Sequence, residues 1–364
     1  MIAIDRFGRT PDGQEAHVFT LTSPDCGVEV RLSDFGATVL VITCPDRTGE
    51  PADIVLGFGE LAGYAGVNAA CYGGTIGPVA NRTEGASVEV AGEVWHLEPN
   101  EGENNLHTSL GHGFHKRLWS ATVDEAANAV TFSCMLAHGE LGLPGERTAT
   151  VRYELTGSTL TLTQRCETDR PTFANMTNHT YFNLAGHGSG TVEDQMVTIE
   201  AASYLPIRED SVTTGAVEPV TGTPFDLRYG KRLGEGLGSE DEQIRLGRGY
   251  DHCFCVDGFE PGAAPRRALA AEDSASGRAL EVFITQPGIQ LYTGNWLDDE
   301  PVKDGGAYGP RAGFAVEPEY YPNGMHHADW PQPICTPEHP YEETIVYRFG
   351  TTETLGAQEA HVEG

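Results

Sequence analysis

Basic residues are scarce. The 364-residue chain holds 23 Lys and Arg against 53 Asp and Glu, a formal net charge of −30. Such a surface repels phosphate backbones and anionic headgroups, so we expect neither a nucleic-acid nor a membrane partner. The charge bears on solubility and is silent about fold. Long apolar runs are missing too. None approaches the roughly 18 residues a membrane helix needs. Residues 1–13 are polar, contain Pro11 and Gly13, and lack the basic flank and apolar centre of a signal peptide. The expectation is a cytoplasmic protein. Cysteine is sparse: eight residues, at 26, 44, 71, 134, 166, 253, 255 and 335, with no CxxC pair. In a reducing compartment they read as buried thiols. Cys253 and Cys255 share a strand face, but their spacing announces no further metal ligands. Helical periodicity is nearly absent. Residues 60–64 and 231–237 suit a turn or two each, and no strand–helix rhythm points to a parallel sheet. No repeat of fixed period occurs.

Turn formers and alternation are what the chain has. Gly (45) and Pro (22) supply many turns. Period-2 patterning recurs in Val28-Glu-Val30-Arg-Leu32 and in Val88-Glu-Val90, which turns at Ala91-Gly92 into Val94-Trp-His96-Leu97. Val151-Arg-Tyr153-Glu-Leu155 runs through Thr156-Gly157-Ser158 into Leu160-Thr-Leu162. These are hairpin signatures. Strand-like runs separated by turn clusters at roughly 8–12 residues have the rhythm of a β-sandwich or barrel. No linker cuts the chain, so we expect one large all-β domain over residues 1–350 and a polar tail over 351–364.

Three segments place polar groups among apolar strand ends. The first is Gly77-Pro-Val-Ala-Asn81-Arg82 with Asn100-Glu-Gly-Glu-Asn104-Asn105-Leu106-His107. The second is Asn175-Met-Thr177-Asn178-His179-Thr180-Tyr181-Phe182-Asn183-Leu184. The third is Gly313-Phe-Ala-Val316-Glu317-Pro318-Glu319-Tyr320-Tyr321-Pro322-Asn323. Amides, carboxylates and rings of this kind suit a neutral, hydroxyl-rich ligand: planar groups bind hydroxyls in pairs and aromatic faces cover apolar sugar faces. Turn-forming Asn and packing aromatics would leave the same pattern, so at this level a carbohydrate site stands beside a purely structural reading.

At these segments the chain resembles the aldose 1-epimerase (galactose mutarotase) family. The resemblance runs from about residue 31 to 349. It rests on Ala80-Asn81-Arg82, Asn105-Leu106-His107, Gly113-Phe114-His115-Lys116, Thr177-Asn178-His179-Thr180-Tyr181-Phe182-Asn183-Leu184 and Pro224-Phe225-Asp226-Leu227-Arg228. It continues through Gly249-Tyr250-Asp251-His252, Thr285-Gln286-Pro287-Gly288, Tyr292-Thr293-Gly294-Asn295 and Glu317. The resemblance implies a large single-domain antiparallel β-sandwich with a sugar in an open cleft. It implies interconversion of the α and β anomers of a free aldose, without metal or organic cofactor. By the same resemblance Glu317 is the base at the C1 hydroxyl, His179 the acid at the ring oxygen, and His107 a second histidine that positions or polarises that oxygen. Arg82 and Asp251 hold sugar hydroxyls, Gln286 and Asn81 add contacts or support them from behind, and Tyr181 orients the acid. A histidinium suits the acid, since its unperturbed pKa lies near 6.5.

Three departures from the family's pattern bear on specificity. Thr108-Ser109 follow His107 in place of Gly-Gly, and could narrow the cleft or add hydroxyl contacts. Pro78 stands where Arg is frequent. Glu317-Pro318-Glu319 replaces Glu-x-Gln, and a second carboxylate would raise the Glu317 pKa if both side chains entered the site; Pro318 could break that geometry. The alternatives are a hexose-6-phosphate 1-epimerase, which needs a cationic cluster, a glycosidase built on two carboxylates, and a non-catalytic carbohydrate-binding protein. Galactose and glucose are the expected aldoses, with arabinose, xylose or a disaccharide open. The oligomeric state, monomer or homodimer, is also open.

Overall fold

The computed structural model describes residues 1–355. Alternation in sequence becomes alternation in burial. In the strand Arg147–Thr156, Ala149, Val151, Tyr153 and Leu155 face the core while their neighbours are half-exposed. The strand Thr159–Thr168 answers with buried Leu160, Leu162 and Cys166. Thr156 pairs with Thr159, so only Gly157 and Ser158 turn the chain, and Gly157 sits at φ +57°. The hairpin Ser87–Val90 with Glu93–His96 has Ala91 at φ +51° and Gly92 at +83°. Two positive φ values match the right-handed twist of paired strands.

Three large sheets carry the fold, all of them antiparallel. A five-stranded sheet runs in chain order from Ala3–Arg9 to Pro51–Asp53. A nine-stranded sheet is centred on Thr159–Thr168, Tyr341–Thr351 and Arg278–Ile284. A six-stranded sheet runs, in spatial order, Tyr181–Phe182, Phe314–Glu319, Gly288–Tyr292, Asp251–Cys255, Ser203–Tyr204 and Glu218–Pro219. One apolar core joins all three: Leu21 and Val30 from the first, Phe132, Val151 and Tyr347 from the second, Phe254, Leu291 and Val316 from the third. This is the sandwich the strand rhythm leads one to expect.

Among the described residues helix is confined to short pieces such as Leu61–Ala65, Leu233–Leu237 and Glu242–Gly247. The first two lie where the sequence suggests a turn or two. Among the described residues no helix is long and apolar enough to cross a membrane. The strand Tyr341–Thr351 runs past residue 350, and the Thr352 amide donates to Gly277 O at 3.0 Å. The rest of the expected tail, 356–364, lies outside the described residues.

Candidate active site

The six-stranded sheet is buried on both faces at its centre. One face carries Phe254, Ile289, Leu291, Phe314 and Val316 into the core. Period 2 sends the alternate residues to the other face. Register aligns them in rows: Asp251 opposite Tyr292 opposite Ala315, and Cys253 opposite Gln290 opposite Glu317. The edge strand continues the first row, with Tyr181 opposite Ala315. Two residues back along that antiparallel register His179 stands beside Glu317, with Nε2 3.3 Å from Glu317 Oε2. Tyr181 stacks on the His179 ring at 5.1 Å and 27°.

A second wall comes from a two-residue ladder. Arg82–Thr83 pairs with Asn105–Leu106, which brings Asn81 and His107 together. Asn81 adopts φ +58°, a conformation that Asn tolerates better than most residues. Its backbone amide donates to His107 Nδ1 at 3.1 Å, and its carbonyl accepts from the His107 amide at 3.0 Å. An amide N–H only donates, so Nδ1 is the acceptor and the neutral ring carries its proton on Nε2. The His107 and His179 ring centroids are 5.3 Å apart.

Asn81, Arg82, His107, His179, Asp251 and Glu317 therefore line one open cleft of about 770 Å³. Gln286 does not reach it. It lies at the turn after Arg278–Ile284, fully buried beside the Tyr341 hydroxyl. Gln290, four residues on, faces the cleft and donates to Asp251 Oδ1 at 2.8 Å. Alternation along Gly288–Tyr292 points Gln290 to the same face as Tyr292 and was the available signal. Glu101, inside the first polar segment but given no role by it, grips Arg82 through bonds of 2.6 and 2.9 Å, and no motif marks the rim residue Trp296, 60% exposed, with the Arg248 guanidinium 3.7 Å over its ring.

The departure expected at the cleft edge, Thr108-Ser109, lies behind the wall instead. Thr108 Oγ1 donates to Val79 O and accepts from the Val79 amide, both at 2.8 Å. Ser109 Oγ donates to Glu98 at 2.6 Å. Both hydroxyls are used internally, so neither is aimed at a ligand. Pro318 leaves the strand Phe314–Glu319 intact, and Glu319 shares the Glu317 face, opposite Gly288.

Burial governs the electrostatics. It pushes the Glu317 carboxyl well above its ordinary range; Asp251 adds to this and Arg82 opposes it. Burial lowers His179 to about 4. His107 is also lowered, by burial first and then by His179 and His115. Desolvation thus works against the standing histidinium expected at 179 as well as against a Glu317 carboxylate, and both shifts run toward the uncharged forms. For Arg82, burial works against the charge but Asp251, Glu101 and Glu317 outweigh it. Glu317 Oε2 is buried with no hydrogen-bond donor among the described residues.

The aldose 1-epimerase family model matches residues 17–348. Human galactose mutarotase is 39% identical over 345 residues, covering 94% of this chain and 97% of the relative. The aldose 1-epimerase of Escherichia coli K12 is 35% identical, covering 93% and 96%. The crystal structure of galactose 1-epimerase from Lactobacillus acidophilus superposes with a TM-score of 0.82 at 25% identity, over 96% of this chain and 99% of that one.

The chain belongs to the aldose 1-epimerase family. It is an isomerase that interconverts the α and β anomers of free aldoses. Ligand atoms of His107, His179 and Glu317 lie within 4.8 Å of one another, a spacing that by distance alone could hold a metal ion. The donor set of this epimerase argues otherwise. His107 Nδ1 is occupied as an acceptor, which leaves Nε2 protonated. That nitrogen can donate to an oxygen but has no lone pair for a cation.

Proposed function

We propose that the cleft binds a free hexose, galactose or glucose, with C1 and the ring oxygen at Glu317 and His179. Glu317 takes the proton of the C1 hydroxyl while His179 donates to the ring oxygen. The C1–O5 bond breaks, the aldehyde rotates about C1–C2, and closure on the other face returns both protons. His107, neutral and donating from Nε2, polarises the ring oxygen without competing for its proton. Arg82, Asp251, Asn81 and Gln290 hold the hydroxyls. Trp296 at the rim offers an aromatic face to the sugar.

The observation that carries this reading is the buried Glu317 oxygen, 3.3 Å from His179 Nε2 and without a donor of its own. Ring opening starts from an ionised Glu317 and a protonated His179 and ends with both neutral. A desolvated site favours that direction, since it removes two buried charges at once. The reaction therefore begins with a proton hop from Glu317 to His179, assisted by the sugar hydroxyls that solvate the carboxylate.

A free sugar fits better than a phosphorylated one. The cleft presents Glu101, Glu209, Asp251, Asp298 and Asp299, and of its cations Arg82 is held by Glu101 and Arg248 by Trp296. A phosphate would meet net negative charge. Eight free thiols, seven of them buried, support a reducing, cytoplasmic location.

Polarimetry on freshly dissolved α-D-galactose and α-D-glucose tests the reading. We expect wild type to speed the approach to equilibrium rotation, and Glu317→Gln to lose about 10²–10⁴-fold in kcat. Wild type without acceleration on either sugar would overturn the substrate class.

A further inference from the structure

Behind the cleft wall lies a carboxylate that the mechanism does not use. Glu319 is fully buried and does not reach the cleft. Its Oε1 accepts from Asn81 Nδ2 at 3.0 Å. Asn81 in turn holds two site residues. Its Oδ1 accepts from the Arg82 amide at 2.7 Å, and its own amide donates to His107 Nδ1. Its backbone is left-handed, a conformation that needs outside support in a residue other than glycine. Glu319 supplies that support from the base strand itself, two positions from Glu317.

We propose that Glu319 is a positioning residue for ring opening: by anchoring the Asn81 side chain it keeps the Asn81 amide on His107 Nδ1, and so fixes His107 as an Nε2–H donor aimed into the cleft. The inference rests on the sugar-epimerase reading above.

The anchor works in its neutral form. Facing Glu319 are Glu317 on its own strand, Asp251 and Cys253 from the strand Asp251–Cys255, Gly288 from the strand between, and Asn81 and Arg82 from the opposite wall. Burial pushes its carboxyl up, and Glu317 and Asp251 add to this. The Asn81 bond and the more distant Arg82 pull the other way and do not prevail. The two carboxyls stand two residues apart on one strand face, so burial and their mutual repulsion disfavour charging both. What Asn81 needs is an oxygen acceptor and not a charge, so an amide serves as well as an acid.

The test compares wild type, Glu319→Ala and Glu319→Gln by polarimetry and by histidine ¹⁵N–¹H NMR on the ligand-free protein. We expect Glu319→Ala to lose tenfold or more in kcat, with a smaller change in KM. Its His107 signal should become a mixture of tautomers, where wild type shows one. Glu319→Gln should recover most of the rate and the single tautomer. A second variant, Asn81→Gly, relieves the positive φ and removes the tether. It should show the same tautomer mixture, and adding Glu319→Ala to it should change nothing further. This pair decides the matter if Glu319→Ala alone fails to fold. The proposal is overturned by a wild-type His107 signal in Glu319→Ala or in Asn81→Gly. It is equally overturned if Gln impairs as much as Ala, which would make the charge the working part. Failure of the functional reading looks different: wild type itself would not accelerate mutarotation, while the NMR comparison would still test the tether.

Discussion

In the proposed mechanism Glu317 and His179 divide one proton between two buried side chains, and the pH dependence of the reaction follows from that count. Activity needs one proton in the pair. A second proton, taken up as pH falls toward the His179 value of about 4, leaves no base. Loss of the single proton, as pH rises past the elevated Glu317 value, leaves no acid. We expect kcat/KM for galactose to fall on the acid side only near pH 4, with the acid and alkaline limbs belonging to the pair. An acid limb near 6.5, that of an ordinary histidine, would contradict the desolvation argument. The two glutamines near the site separate contact from core. Gln290→Ala removes a group that faces the cleft and bonds Asp251; it should raise KM and lower kcat/KM by roughly tenfold, the value of one well-placed hydrogen bond. Gln286→Ala should leave kcat/KM within about twofold and lower stability instead, since its side chain is core. Steady-state polarimetry with urea unfolding of both variants checks the pair.

At the scale of elements, strand register builds the cleft. The pairing of Tyr181 with Ala315 carries His179 to Glu317, and that of Gln290 with Glu317 adds the neighbouring row. A one-residue slip would send every functional side chain to the core face. Long strands such as Arg147–Thr156 and Thr159–Thr168 were legible because repeated alternation outweighs local exceptions. Two-residue ladders such as Arg82–Thr83 with Asn105–Leu106 were not, since two residues have no period. The helix Glu242–Gly247 escaped notice for the same reason: six residues with only Ile244 and Gly247 buried show no stripe. Its one clear mark is Asp241 at the N-cap, whose side chain accepts from the Gln243 amide at 2.8 Å. That helix fixes Gln243, which accepts from the Ile207 amide at 2.7 Å and lies 3.2 Å from His252 Nε2, in the strand that begins at Asp251. Asp241→Ala should cost about 1 kcal/mol in urea unfolding, within the roughly 0.5–2 kcal/mol range of lost caps, with little change in KM.

For the whole molecule, buried histidines contribute to the loss of stability in acid. Burial lowers His252 and His115 to about 3 each. Their folded values lie below the unfolded value of about 6.5. The unfolded chain therefore takes up protons first, and stability present above about pH 6.5 is lost as pH falls through that value toward 3. Each group contributes a slope of about 1.4 kcal/mol per pH unit in that window. Buried carboxyls raised by desolvation, Glu317 among them, act in the opposite sense, so the test is a difference. Urea unfolding between about pH 6 and 4 should give a pH slope shallower by about one proton in His252→Gln than in wild type. The sequence alone determined the class of this protein. Strand period, turn chemistry and charge are local quantities, and the acid–base residues stand in motifs whose order along the chain is itself specific. Tertiary structure decided which groups meet and in what protonation state. Whether Gln286 or Gln290 reaches the sugar depends on which face of a strand is covered. Whether His179 is charged depends on how much water the assembled sheets exclude, and whether Thr108 touches a ligand depends on Val79, 29 residues away. These are properties of packing between distant segments, and no short window of sequence contains them.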